Sequence, residues 1–341
     1  MNGFVVGTDL KTSGRLRLKL IRLQTSITFF WRDNGGFMFR KLLIASALLA
    51  LIQVAHAQEP KSDPPPINAR FHHVHLNTTD PEAAIKFYTT KFKAERQKFA
   101  GLQDAVWTGD SWLLFTKVNV PPPSETISGI WHIGWGGEDM KDVYQKQLDS
   151  GTKFQTPLTD ISGLTGAPEN SGRFFYAYVD GPDHALIELN TSRNHNFGHV
   201  HMFSADPVAA GEWYAKHFGY KVRLQKDARS YRDTQIAPAA FVTANHVSII
   251  IYPVEYLTTS GYAPFKGRTE LASTRGRVID HLGFAVDNLD EAVAHMKAAG
   301  VKVTAQPVTR GQIKFAFIEG PDRVGIELIE DHSPQPGKLP D

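Results

Sequence analysis

The chain has 341 residues, of which 37 are Lys or Arg, 35 are Asp or Glu, 14 are His and none is Cys. A composition of 42% hydrophobic and 21% charged residues is typical of a globular protein, and it excludes a disordered, collagen-like or multi-pass membrane chain. Without cysteine there is no disulfide, zinc-thiolate site or cysteine nucleophile. A metal would therefore be held by His, Asp, Glu, backbone or water.

A secretory signal peptide is predicted from Met38 to Ala57. The segment begins with Arg40 and Lys41, continues with an apolar run at 42–55 and ends in the small-residue sequence A-H-A. The apolar run is shorter than the roughly 20 residues that a membrane-spanning helix needs, so cleavage after Ala57 is favoured over a membrane anchor. The expected localisation is therefore periplasmic or extracellular.

Residues 1–37 show no helical or strand periodicity, and they are interpreted as a disordered segment upstream of the true translation start. A folded N-terminal domain is the alternative. Removal of residues 1–57 takes away eight basic and two acidic side chains, which leaves 284 residues with a net charge of −4. A mildly acidic body without a basic tract does not support binding to nucleic acid. After signal cleavage a membrane is not expected as a partner either.

A first internal repeat follows a Pro-rich linker at 58–69. Residues 71–92 align without a gap with residues 197–218, and both copies contain an Asp-Pro pair and an aromatic-Tyr pair. The matched histidines are His73 with His199 and His75 with His201. Repeated histidines at matched positions indicate duplicated modules.

A second repeat relates residues 131–151 to 280–300 and continues from 178–189 to 317–328. The offset falls from 149 to 139 between these blocks, so the first copy contains ten extra residues, which we expect between 158 and 172. The matched residues are His132 with His281, Glu188 with Glu327 and Tyr178 with Phe317.

Each repeat unit begins with a short alternating strand, continues with an amphipathic helix of about 13 residues and ends in strand-rich segments. In the first unit Asp80 is the predicted N-cap and Pro81 the first helical residue. Four βαβββ units in two pairs are therefore predicted.

The repeated openings H-V-x-L/M…D-P…F/W-Y and closings G-P-D-x-x-x-I-E-L resemble the vicinal oxygen chelate superfamily. This superfamily includes glyoxalase I, extradiol dioxygenases and bleomycin-binding proteins, and the resemblance covers about residues 70 to 331. It implies an α+β fold of four βαβββ modules, in which each pair forms a cupped, partly open β-barrel with helices outside. The expected pairs are 70–195 and 196–335, with a tail at 336–341.

The resemblance also implies metal ligands on the first and last strands of the modules. Carried over residue by residue, it gives one set per pair: His73, His132 and Glu188 in the first, and His199, His281 and Glu327 in the second. Two imidazoles and one carboxylate leave open positions on a divalent metal and suit Fe(II), with Mn, Zn and Ni as alternatives. A single strand-end histidine is more often structural, but two matching sets favour a metal. No organic cofactor is expected.

Three further side chains are candidate catalytic residues. His75 and His201 share a strand face with the predicted ligand two residues before them, so each could act as a general base, a substitute ligand or a support for a ligand. Tyr178 precedes Glu188 by ten residues, a spacing that resembles the tyrosine of extradiol dioxygenases that contacts the catecholate. The other histidines are interpreted as surface or structural residues: His72, His184, His195, His217, His246, His295 and His332.

The predicted function is an exported, divalent-metal-dependent enzyme that binds a small substrate through two neighbouring oxygens, with an extradiol ring-cleaving dioxygenase favoured. The strands expected at 112–118 and 246–254 contain no acid, so each cup lacks the second carboxylate that glyoxalase I would imply. A glyoxalase- or epimerase-like lyase or isomerase is one alternative. A non-catalytic binding protein is the other, with an aromatic wall drawn from Trp107, Trp112, Trp131, Trp135 and Tyr176. The oligomeric state is not predicted.

Overall fold

The computed structural model describes residues 65–193 and 195–339, and it shows four βαβββ modules. The upstream segment, the predicted signal peptide and most of the linker lie outside the described residues. Within the described part of the chain, no helix has the length and apolar character that crossing a membrane requires.

Each module consists of one strand, one helix and three further strands. Module 1 contains β1 (Arg70–Thr78), α1 (Pro81–Lys91), β2 (Glu95–Phe99), β3 (Gln103–Trp107) and β4 (Trp112–Lys117). Module 2 contains β5 (Ile130–Gly137), α2 (Met140–Asp149), β6 (Phe154–Asp160), β7 (Phe175–Asp180) and β8 (Leu186–Thr191).

The second half of the chain repeats this order. Module 3 contains β9 (Phe197–Ser204), α3 (Pro207–Phe218), β10 (Lys221–Tyr231), β11 (Thr234–Ala244) and β12 (Val247–Pro253). A short helix, α4 (Glu255–Thr259), leads to module 4, which contains β13 (Ile279–Ala285), α5 (Leu289–Ala298), β14 (Val303–Arg310), β15 (Ile313–Glu319) and β16 (Gly325–Asp331). The predicted α+β fold of four modules in two pairs is confirmed.

The helices begin at the caps that the sequence predicts. The Asp80 carboxylate accepts a hydrogen bond of 3.1 Å from the backbone N–H of Ala83, and Pro81 lies in the first turn. Asp206 caps α3 in the same way, at 2.9 Å from the N–H of Ala209. The four module helices have 10 to 12 residues, slightly fewer than predicted.

The modules pair differently from the predicted ranges. One eight-stranded sheet has the order β14-β15-β16-β13-β1-β4-β3-β2, and the other has the order β10-β11-β12-β9-β5-β8-β7-β6. Module 1 therefore joins module 4 through β1 and β13, while module 2 joins module 3 through β5 and β9, both antiparallel. The ranges 70–195 and 196–335 each contain two modules, but the two modules of a range lie in different sheets, so the expected pairing within each range is wrong. We name the two observed pairs the 1–4 cup and the 2–3 cup.

The repeats could not distinguish the expected pairing of modules 1–2 and 3–4 from the observed pairing of modules 1–4 and 2–3. In both arrangements an odd-numbered module pairs with an even-numbered module. The decisive contacts are the antiparallel pairs between strands far apart in sequence: Arg70 of β1 pairs with Ala285 of β13, and His75 pairs with His281. Strand pairing at such separation leaves no mark on local periodicity.

The apolar core and the cups lie on opposite faces of the first strands. On β1, Val74 and Leu76 are buried in the main apolar cluster and alternate with His73 and His75. Rings from all four first strands meet in this cluster: Phe71 lies 5.9 Å from Phe197 and 5.6 Å from Phe284, and Trp135 lies 5.2 Å from Phe197. The apolar core therefore packs against one face of each first strand, and the histidines lie on the opposite face.

The extra residues of the first copy lie in the connection between β6 and β7, as predicted. This connection spans 161–174, whereas two residues separate β14 from β15. Asp160 accepts hydrogen bonds from the N–H groups of Ser162 at 2.8 Å and Gly172 at 2.7 Å, so its carboxylate holds both ends of the loop.

Candidate metal centres

Each cup contains three histidines and one glutamate whose ligand atoms lie within 4.8 Å of one another. The 1–4 cup brings together His73, His75, His281 and Glu327, and the 2–3 cup brings together His132, Glu188, His199 and His201. The two predicted sets are therefore regrouped. His73 lies with His281 and Glu327, and His199 lies with His132 and Glu188, because the modules exchange partners relative to the prediction.

A glycine makes room for one imidazole in each cup. A Cβ atom at Gly134 would lie 2.0 Å from Nε2 of His199, and a Cβ atom at Gly283 would lie 2.0 Å from Cε1 of His73. Each glycine stands on the neighbouring first strand, two residues after that strand's own histidine in the cluster. The repeated H-x-G sequence thus supplies a cluster histidine from one module and space for a cluster histidine of the partner module.

The nitrogens of the 2–3 cup converge on one another without hydrogen-bond partners. His132 Nε2 lies 2.7 Å from Glu188 Oε2, but their geometry does not make a hydrogen bond. His199 Nε2 and His201 Nδ1 lie 3.9 and 4.0 Å from the Glu188 oxygens, and both are buried and unpartnered among the described residues. An unsatisfied buried polar atom costs about 1–3 kcal/mol. A divalent cation would satisfy all of these atoms, and the imidazole and carboxylate donors fit Fe(II), Mn, Zn or Ni.

The histidines of the 2–3 cup are in the state that binds metal. Burial lowers the pKa of His199 to about 4, and it lowers the pKa values of His132 and His201 well below the ordinary value of 6.5. At neutral pH all three imidazoles are therefore uncharged, with a free lone pair.

The 1–4 cup is more tightly connected by hydrogen bonds. Glu327 Oε2 lies 3.0 Å from His281 Nε2 and 3.6 Å from His73 Nε2. Burial lowers the pKa of His73 to about 4. Burial also opposes protonation of His281, but hydrogen bonds to Asp280 and Glu327 outweigh burial and raise its pKa overall.

Residues behind the histidines of the 1–4 cup were missed by the sequence analysis. His281 Nδ1 lies 2.6 Å from Asp280 Oδ1. His73 Nδ1 lies 2.8 Å from His72 Nδ1, and His72 Nε2 lies 3.2 Å from Asp331 Oδ2. Such contacts orient ligating imidazoles. The available signal was adjacency in sequence, since His72 and Asp280 each precede a predicted ligand.

The 2–3 cluster borders a cavity of about 350 Å³. Of its histidines, His201 lines this cavity, together with Glu188 and Tyr178. The cavity wall is aromatic and includes Trp131, Phe174, Tyr176, Tyr252 and Tyr256. Of the five aromatic residues considered for a substrate wall, two line this cavity: Trp131 and Tyr176. The other three belong to the apolar core clusters: Trp107, Trp112 and Trp135.

Tyr178 stands opposite Glu188 on the neighbouring strand, and its ring centre lies 5.0 Å from that of His132. Burial, reinforced by the negative charge of Glu188, raises the pKa of Tyr178 well above 10. The side chain is therefore a neutral phenol, which donates a hydrogen bond but does not act as a base at neutral pH.

His75 has the place in the 1–4 cup that His201 has in the 2–3 cup. Its Nε2 lies 2.7 Å from Thr116 Oγ1, its Nδ1 is buried without a partner among the described residues, and its ring stacks on His281 at 4.5 Å. Phe317 pairs with Glu327 where Tyr178 pairs with Glu188, so this cup lacks the phenol.

The chain belongs to the Glyoxalase/Bleomycin resistance protein/Dioxygenase superfamily, whose family model matches residues 70–189 and 196–328. Members of this superfamily are commonly metal-dependent enzymes, and the two His/Glu clusters are where this chain could hold a metal.

Solved structures with the same fold include glyoxalase I from Zea mays, at 16% identity and a TM-score of 0.56, with 77% of this chain and 92% of that chain covered. A proposed dioxygenase from Bacillus subtilis has 12% identity and a TM-score of 0.51, with 79% and 86% covered. At these identities the likeness shows the fold alone. The uncharacterised protein YaeR of Escherichia coli is 42% identical over 53 residues, and this match spans 15% of the present chain and 40% of YaeR.

Proposed function

We propose that this chain is an exported, divalent-metal-dependent enzyme, and that its 2–3 cup is an extradiol-type ring-cleaving site for a small aromatic diol. One observation carries the proposal. At the wall of an aromatic cavity, unpartnered imidazole nitrogens and a carboxylate converge beside a neutral imidazole and a neutral phenol.

The proposal gives each of these side chains a role. His132, His199 and Glu188 hold the metal, and Fe(II) in such a set supplies the open positions and redox chemistry typical of non-haem oxygenases. His201 borders the cavity and is neutral, so it accepts a proton from a substrate hydroxyl. Tyr178 donates a hydrogen bond to the oxygen that becomes negative.

The cavity favours a substrate with one ring. A volume of about 350 Å³ accommodates a small molecule, and the surrounding aromatic side chains offer stacking and edge contacts. Arg232, which also borders this cavity, is paired with Glu169 at 2.7 Å.

Metal content is the first test. Protein purified without chelator is expected to hold one metal ion in each of its two clusters. Glu188→Gln should empty the 2–3 cup, and the matched variant Glu327→Gln should empty the 1–4 cup, as measured by elemental analysis. Metal-free protein whose ligand binding is unchanged by both substitutions would instead support a non-catalytic binding protein.

Oxygen uptake tests the reaction. The Fe(II)-loaded chain is expected to consume O₂ with catechol and form a coloured ring-cleavage product. Glu188→Gln should abolish uptake, whereas Glu327→Gln should retain it. A flat oxygen trace from protein with measured Fe(II) in the 2–3 cup would contradict ring cleavage.

A lyase or isomerase that uses the metal as a Lewis acid is the second candidate, and the fourth side chain of the cluster favours it. If His201 Nδ1 is itself a ligand, four protein donors leave two positions of a six-coordinate metal, enough for two substrate oxygens but not for O₂ as well. His201→Ala separates the two candidates. Retained metal with lost oxygen uptake supports the dioxygenase, and lost metal supports the second candidate.

Export is part of the proposal and has its own test. The motivating observation is the segment from Met38 to Ala57, with its basic start, apolar centre and A-H-A end. Protein recovered from the periplasm of a Gram-negative host should begin at Gln58 by N-terminal sequencing. Intact precursor confined to the cytoplasm would contradict export.

A further inference from the structure

Two arginines, Arg275 and Arg310, line the 1–4 cavity. This cavity has a volume of about 750 Å³ and borders His75, His281 and Glu327. The Arg275 guanidinium lies 4.4 Å from the centre of the Phe317 ring, and the Arg310 guanidinium lies 5.6 Å from that of Phe315. The two rings are 6.0 Å apart on one strand, so each cation lies over one of two neighbouring aromatic side chains.

Both guanidinium groups keep hydrogen-bond donors available. Stacking on a ring occupies the face of a guanidinium and leaves the N–H groups at its edge free. Arg275 Nη1 donates a hydrogen bond to Asp280 Oδ1 at 2.5 Å and also lies 2.7 Å from His281 Nδ1, and the Arg275 side chain is 47% exposed. Arg310 is exposed, and within the described ranges no carboxylate lies within 4 Å of its guanidinium. The wall therefore presents one unpaired and one partly paired cation to the cavity.

The 2–3 cup has different groups at the matching positions. Tyr176 and Tyr178 stand on β7 where Phe315 and Phe317 stand on β15, and both tyrosines have pKa values raised by burial. The types of residue in the His/Glu cluster are the same in both cups. The walls differ, because the 2–3 cavity is lined by Tyr176, Tyr178 and one arginine, whereas the 1–4 cavity is lined by two phenylalanines and two arginines. An arginine edge can bind a carboxylate through two parallel hydrogen bonds, so the second arginine of the 1–4 cavity favours an anionic ligand there.

We propose that the 1–4 cup is a second substrate site, and that it takes a small carboxylate with a neighbouring hydroxyl or carbonyl oxygen. The carboxylate is bound by Arg310 and Arg275, and the neighbouring oxygen faces the cluster of His75, His281 and Glu327. The inference rests on the proposed function in assigning metal to that cluster, but the arginine wall binds the carboxylate without it. The protein then has two cups with two substrate classes.

Calorimetric titration of metal-loaded protein with mandelate and with its neutral amide, mandelamide, tests this inference. Wild-type protein is expected to bind mandelate about tenfold more tightly than mandelamide. Arg310→Met keeps the apolar stem and should weaken mandelate binding about tenfold while mandelamide is unchanged. The matched control is Arg223→Met, because Arg223 also lies over a ring, 3.7 Å from Phe241, but does not border the cavity.

Three outcomes would overturn the inference. The first is equal affinity for mandelate and mandelamide, and the second is mandelate binding that is unchanged in both Arg310→Met and Arg310→Gln. The third is loss of mandelate binding in Glu188→Gln, which would place the site in the 2–3 cup. Repeating the titration after chelation separates this inference from the proposed function. A mandelate preference that persists in protein unable to take up metal supports the arginine wall while the metal assignment fails.

Discussion

At the scale of single residues, Gly134 and Gly283 determine where two imidazoles can lie, although neither glycine offers a ligand atom. The missing Cβ is the condition for the close approach of His199 and His73 to the neighbouring strand. Backbone conformation is not the reason, because neither residue has a positive φ. Replacement by alanine therefore tests space alone.

Gly134→Ala is expected to displace His199 and to lower metal occupancy in the 2–3 cup without affecting the 1–4 cup. Gly283→Ala should displace His73 and have the reciprocal effect. Each substitution should also lower the free energy of unfolding by about 1–3 kcal/mol, since a methyl group is forced into filled space. Elemental analysis and urea unfolding measure the two effects. Equal metal loss from both cups in either variant would contradict the assignment.

At the scale of elements, the antiparallel pairing of β1 with β13 creates the 1–4 cup. Paired residues on antiparallel strands have Cα atoms about 4.5–5.5 Å apart, which is within the reach of a disulfide. Arg70 pairs with Ala285 in this register. The natural chain contains no cysteine, so an engineered pair has no competitor.

The double variant with Arg70→Cys and Ala285→Cys is expected to form a disulfide on mild oxidation and to resist urea more strongly, by about 4 kcal/mol. The control combines Arg70→Cys with Gly136→Cys, because Gly136 matches Ala285 in the repeat but belongs to the other sheet. Gel mobility without reductant reports the crosslink. A crosslink in the control and none in the first variant would contradict the pairing of modules 1 and 4 and support the pairing of modules 1 and 2.

The elements also show how much the sequence could predict. Caps such as Asp80, alternating strands and repeat offsets depend on nearby residues, so the four modules and the loop at 161–174 were predictable. The residue types of both clusters followed from the repeats and the family resemblance. Their grouping was not predictable, because it depends on pairing between distant strands. Arg310 was also missed, because the direction of a side chain at the end of a strand follows from the connection beyond it.

At the scale of the whole molecule, buried histidines couple folding to pH. Burial holds the pKa values of His73 and His199 at about 4, against 6.5 for an exposed histidine. The unfolded chain therefore binds more protons than the folded chain between these pH values, so stability falls as pH decreases from 6.5 to 4. His281 affects stability in the opposite direction, because its pKa is raised in the folded chain. Its protonated form stabilises the fold, and this contribution is lost as pH rises through the folded-state pKa of His281.

Metal-free protein is expected to lose up to about 3 kcal/mol of unfolding free energy for each of His73 and His199 as pH falls from 7 to below 4. Urea unfolding at a series of pH values measures this loss. His199→Phe should reduce the loss by the contribution of His199, up to about 3 kcal/mol, while the contributions of the other buried histidines remain. Stability that stays constant over this pH range in the wild-type chain would contradict the buried neutral state.

The nested pairing of the modules has a consequence for the order in which the molecule can be completed during synthesis. Modules 2 and 3 are consecutive, so in a chain that emerges N-terminus first the 2–3 sheet can close as soon as β12 has emerged. β1 is the first of the described strands to be made, yet its antiparallel partner β13 begins only at Ile279. Until then one edge of β1 stays open, and open strand edges invite wrong pairing. The 1–4 cup is therefore the last part of the molecule to close and the part most exposed to misassembly in a nascent chain.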